Sequence, residues 1–164
     1  MNNNRSSSKI WWIVGLISII FIILIIKAAT KPAKIKNNAQ LLASCTTDMA
    51  TQFHIHPYLK IIINSQPQEI PANIGISSEC MHAIHTHDNT GKIHVESPEK
   101  RDFTLGDFFL IWQKTFNKNQ ILNYKADAAH IIGETVNGLV VNDYENTILR
   151  DNDQIVIYYS EVNP

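Results

Sequence analysis

Hydrophobic and polar positions divide the chain into an apolar N-terminal run, a polar connector and a domain of strand-like and helix-like patterns. Residues 10–26 (IWWIVGLISIIFIILII) carry no charge and are bounded by Lys9 and Lys27. A run of this length is at the lower limit for a bilayer-spanning helix and exceeds the usual core of a signal peptide. Trp11 and Trp12 stand at one end, where amphipathic indoles favour the headgroup region. A cleaved signal peptide is the competing reading, but the residues after the apolar run, Lys27-Ala28-Ala29-Thr30, put a lysine or isoleucine where a small residue would be needed. The pattern therefore predicts a short tail over 1–9, a single-pass transmembrane anchor over 10–26, a linker over 27–40 and an α+β domain over 41–164.

Within the domain, a short helix is expected around Leu41 to Met49. The β-branched run from Leu59 to Asn64 reads as a strand, with a turn over Ser65 to Gln68. Pro71, Asn73 and Gly75 argue against a long strand after it. Residues 82–97 read as a hairpin with Asp88-Asn-Thr-Gly91 at its tip. Opposing Ile84 to Val95 and Thr86 to Ile93 gives that hairpin one apolar face, and the same register opposes His85 to His94. A three-residue loop with a glycine bulge is the alternative, and it would scatter the histidines.

Residues 103–117 are expected to form the clearest helix. Thr104 is a good N-cap with Asp107 at the capping-box position, and Leu105, Phe108, Phe109, Trp112 and Phe116 keep helical spacing. That aromatic stripe is read as core, and Asp102 and Asp107 as helix-start residues rather than a catalytic pair. Asn137-Gly138 signals a second hairpin over 131–142, and Ile155 to Tyr159 a last strand. The fold class is α+β: β-hairpins packed on one amphipathic helix, preceded by the transmembrane helix.

Charge is segregated. Six of the 14 Lys and Arg and none of the 15 acids lie in residues 1–36, which leaves eight bases against fifteen acids afterwards, a net of −7. So acidic a domain argues against nucleic-acid binding, which needs a cationic surface. The lysines after the apolar run outnumber the basic residues before it, which by the positive-inside rule alone favours a cytoplasmic domain. Two features favour the opposite side, with the domain extracytoplasmic, periplasmic or at the cell surface. One is the short polar tail ahead of a first apolar segment, the layout of a signal anchor. The other is a pair of cysteines, Cys45 and Cys80, most simply a disulfide. A Cu(I) ligand set of Cys80, Met81 and His82 is the lesser alternative.

Candidate chemistry resides in the histidines. Six of the seven fall between positions 54 and 94, and four form two His-x-His pairs, His54/His56 and His85/His87. Alternate residues of a strand share a face, so each pair can present two imidazoles together. With His94 opposed to His85, the expected metal ligands are His85, His87 and His94, with His54 and His56 completing or flanking the site if their strand packs alongside. Zn²⁺ or Cu²⁺ would accept such ligands, and Asp88 or Glu96 could add an oxygen or orient a ring. No G-x-S-x-G elbow, P-loop or dinucleotide glycine motif occurs. An amidohydrolase-type barrel, which also opens its metal site with His-x-His, needs about 250 residues and fails on length.

Three functions follow in order. The first is metal capture, sensing or delivery by a membrane-tethered domain. The second is a protein-interaction module of a cell-envelope complex with structural histidines. The third is a metal-dependent enzyme whose catalytic residues the sequence does not identify.

At His54-Ile-His56-Pro57, Ile84-His-Thr-His-Asp88, Gly91-Lys-Ile-His-Val-Glu-Ser-Pro98 and Phe103-Thr-Leu-Gly-Asp-Phe-Phe109 with Trp112, the chain resembles a family of uncharacterised archaeal and bacterial proteins. The resemblance covers residues 54–116, with a looser likeness in the last hairpin, and Ile84 replaces the leucine usual in the family. It implies a membrane anchor and an extracytoplasmic domain carrying the same histidine pattern, and it implies no reaction.

Overall fold

A computed structural model describes residues 11–22, 37–45, 51–78 and 80–162. The chain divides into two compact units, residues 1–35 and 36–164. In the first, residues 11–22 are helical, with exposed apolar side chains such as Trp11 and Trp12. Among the described residues no helix is long and apolar enough to cross a membrane. The expected anchor is thus not shown, and the other residues of the 10–26 run lie outside the described ones.

The second unit is α+β. Calling the helix of residues 11–22 α1, the next is α2, Asn38–Ala43. Asn37 caps it in a capping box with Gln40, so the helix starts before the expected Leu41, and Ser44 ends it. The expected extension to Met49 falls largely outside the described residues. Leu41 and Leu42 are buried, and a Cys45–Cys80 disulfide follows directly, with Cα atoms 5.2 Å apart and a sequence separation of 35. Closing a loop of that size stabilises a fold by about 3–4 kcal/mol in the chain-entropy model. The bond uses both thiols, so Cys80 is not a thiolate ligand.

Strands β1 (Phe53–Ile55), β4 (Ile84–His85) and β5 (His94–Ser97) form an antiparallel sheet in the order β1-β5-β4. The hairpin register is the one its burial pattern predicts, Ile84 opposite Val95 and His85 opposite His94. A five-stranded sheet has the order β10-β9-β11-β2-β3. Its strands are β2 (Tyr58–Ile63), β3 (Gln66–Gln68), β9 (His130–Val136), β10 (Leu139–Val141) and β11 (Gln154–Glu161). β2 and β11 run parallel, and the other pairs are antiparallel. Asn137 and Gly138, both at positive φ, make the tight turn into β10. Asn64 and Ser65 do the same between β2 and β3, so Gln66–Gln68, expected as turn, is a short edge strand that tolerates Pro67.

Helix α3 spans Leu105–Trp112 with the Thr104/Asp107 capping box in place. It ends five residues short of the expected Asn117. Gln113 adopts a left-handed conformation, Lys114 N–H closes onto the Phe109 carbonyl, and Phe116 enters β6 (Phe116–Asn117). With β7 (Gln120–Ile121) and β8 (Tyr124–Lys125) this makes a small third sheet. Leu105, Phe108, Phe109 and Phe116 are buried, as the stripe predicts, in one core with Ile61, Ile84, Val95 and Ile157.

The histidine-bearing sheet is joined to the large one at Pro57. Pro57 has no N–H to continue β1, and its carbonyl accepts from Ile93 N–H at 2.9 Å. Leu59 N–H in turn donates to the Gly91 carbonyl at 2.9 Å. Gly91 sits at φ +82°, and a Cβ there would lie 2.2 Å from the Leu59 carbonyl oxygen. Gly91→Ala is accordingly expected to lower stability by about 2 kcal/mol or more in denaturant melts, from left-handed strain plus the clash; an unchanged midpoint would contradict this docking of the hairpin tip.

Candidate metal centre

The site is built on the β1-β5-β4 sheet. β1 opposes Phe53 to Ser97, His54 to Glu96 and Ile55 to Val95. Side chains alternate, so Phe53, Ile55, Val95 and Ile84 share one face, and His54, Glu96, His94 and His85 share the other. His56 and His87 lie two residues beyond His54 and His85 and fall on the same side. Five of the seven histidines thereby converge, with ring centroids of neighbouring pairs 4.4–5.4 Å apart.

Two triads form: His54, His56 and His94, and His85, His87 and His94. In each, one ring nitrogen per residue lies within 4.8 Å of the others. His54 Nε2 is 3.2 Å from His94 Nδ1, and His85 Nε2 is 3.2 Å from His87 Nε2. Two imidazoles on one tetrahedral ion, with bonds of about 2.0–2.1 Å, hold their nitrogens about 3.3–3.4 Å apart. Both contacts approach that separation.

The triads differ in support and exposure. His85 is fully buried, and its Nδ1 lies 3.0 Å from the His82 carbonyl oxygen. A carbonyl only accepts, so Nδ1 carries the ring proton and Nε2 turns its lone pair towards His87. His82 Nδ1 in turn donates to the Leu42 carbonyl at 2.8 Å, so α2 braces His82 and His82 braces His85. Gly75, whose Cβ would lie 2.5 Å from the Ile84 carbonyl oxygen, lets the preceding loop pack directly against β4. His87 is exposed at the mouth.

The other triad lies nearer solvent, with 41% of the His54 side chain accessible. Glu96 Oε1 is 3.2 Å from His54 Nε2, which places a carboxylate beside the ligand nitrogens. His56 N–H donates to Asp151 Oδ1 at 2.8 Å, and the same oxygen lies 4.0 Å from His56 Nδ1. Asp151 comes from 95 residues away, and no sequence signal marks it. Asp88, expected beside the ligands, turns its carboxylate to the N–H and hydroxyl of Thr90 in the hairpin tip, and these bonds hold its pKa below the usual range. His130, the seventh histidine, pairs with Asp127 and stacks on Tyr159. Asp107 caps α3, and Asp102 pairs with Arg150.

Three of the five imidazoles, His94, His85 and His56, are biased towards the neutral form. Burial, and after it the neighbouring rings of His56, His87, His85 and His54, lower the His94 pKa from 6.5 to about 4. Burial is also the leading cause of the lowered pKa of His85 and of His56. Neutral imidazole is the metal-binding form.

Comparison with family models found no match. Comparisons with curated proteins and with solved structures found none either.

The pKa directions set the sign of an acid effect. As pH falls from about 6.5 towards about 4, the unfolded chain takes up protons at these positions before the folded one does, so folding stability is lost across that window. The metal-free protein is expected to melt at a lower temperature at pH 5 than at pH 7.5, with a shallower fall in His94→Gln. Parallel pH profiles for the two proteins would contradict it.

Proposed function

We propose that this domain binds a transition-metal ion, Zn²⁺ or Cu²⁺, through its clustered imidazoles, as a metal-capture, sensing or delivery module. The observation that carries the reading is the pair of three-imidazole sets sharing His94 on one sheet face. Imidazole suits both ions, and three neutral nitrogen donors leave a position for water, a carboxylate or an exchanging partner ligand. Glu96 is placed to serve as such a carboxylate at the outer triad.

The same reading puts the domain outside the cytoplasm, tethered by its N-terminal apolar run, with an envelope protein as the natural recipient or donor of the ion. The Cys45–Cys80 disulfide supports an oxidising compartment, and the motif resemblance supports the tethered arrangement. An acidic surface suits the attraction of cations.

The test is metal content. Full-length protein without a polyhistidine tag, purified in mild detergent and exposed to Zn²⁺ or Cu²⁺, is expected to retain stoichiometric metal after desalting. Its melting temperature should rise, reflecting about 2.7 kcal/mol of added stability at free metal one hundred times Kd, and a chelator should reverse the rise. His87→Ala/His94→Ala should lose most of the metal. Failure to retain either ion, with no thermal shift, would leave the imidazoles as a hydrogen-bonded structural network.

A further inference from the structure

His94 belongs to both triads. It stands on the central strand β5, flanked by β1 on one side and β4 on the other. Its Nδ1 is turned to His54 of β1, at 3.2 Å from His54 Nε2. An imidazole has one further nitrogen, Nε2, directed to the far side of the ring. The ring is also met nearly edge-on by two others, His56 at 4.5 Å and 86° and His87 at 4.6 Å and 83°. One of these belongs to each triad, while the remaining member differs: His54 is tilted by 43° at 5.4 Å and His85 lies nearly parallel, at 15° and 5.3 Å. A single ion would occupy only one triad, whereas each triad by itself offers three ring nitrogens.

We propose that the cluster is a two-ion centre in which His94 bridges an inner ion held by His85 and His87 and an outer ion held by His54 and His56. The proposal rests on the metal-binding reading above and specifies its stoichiometry and connectivity. Neutral His94 has one lone-pair nitrogen and one N–H, so it serves a single ion as it stands. Binding the second ion displaces the remaining ring proton to solvent, and the resulting imidazolate donates one electron pair to each ion; no oxidant or reductant is consumed. The inner ion would be the less exchangeable, because His85 is fully buried and braced through His82. The outer ion, at the exposed His54, would be the one passed to or received from solution.

The experiment titrates the full-length, tag-free protein with Cu²⁺, counting ions retained after desalting and integrating the copper electron paramagnetic resonance signal. The expected result is two ions per chain. The signal should grow as the first ion binds and fall as the second binds, because an imidazolate bridge couples the two spins. His54→Ala and His87→Ala, both at exposed positions, should each retain one ion with an uncoupled, full-intensity signal. Saturation at one ion in the parent protein would overturn the bridge while leaving metal binding intact. Two ions with undiminished signal would overturn the bridge as well, and retention of two coupled ions by either variant would overturn the assignment of triads. Retention of none would overturn the metal-binding reading itself.

Discussion

The pairing of β1 with β5 is the constraint on which the site depends. Three residue pairs, Phe53 with Ser97, His54 with Glu96 and Ile55 with Val95, convert two histidine pairs 31 positions apart in sequence into one cluster. Ile55 and Val95 supply the driving force, because both are buried on the core face, and a one-residue slip would expose them and bury His54. The histidine-bearing side of the sheet is thus specified by the apolar residues behind it. Pro57 then ends β1, and the chain passes into the large sheet, where the parallel β2–β11 pairing anchors it.

Much of this was legible along the chain because its signals are local. The His85–His94 opposition followed from burying Ile84 against Val95 across a short tip. Asn137-Gly138 and the Thr104/Asp107 box likewise act within a few residues of themselves. The missed features are those decided at a distance or by backbone conformation. The end of α3 at Gln113 is set by a left-handed residue in a segment whose aromatic spacing still looks helical through Phe116. The β1–β5 pairing is not legible in the chain, since a three-residue strand carries no information about its partner. Asp151 reaches His56 from the loop before β11, and the His82 carbonyl works through its backbone; neither contribution is written in a side-chain motif.

Electrostatics and burial favour the neutral form of His94, His85 and His56, the form that the proposed metal binding needs. Crowded imidazoles cannot all carry charge, and His94, surrounded by four others, is held neutral down to about pH 4. A neutral imidazole binds one ion without losing a proton, so only the proposed bridge would cost the remaining ring proton of His94. A gradient runs from buried, braced His85 to exposed His54 and His87, giving a site with a fixed floor and an open mouth.

In the proposed reading this sheet face presents several imidazoles to one metal centre. X-ray absorption spectroscopy of the zinc-loaded full-length protein tests it most directly. Nitrogen and oxygen donors are expected at about 2.0–2.1 Å, with the outer-sphere scattering of at least two, and in the full centre three, imidazole rings per ion. A spectrum showing oxygen donors alone, with no imidazole scattering, would contradict it.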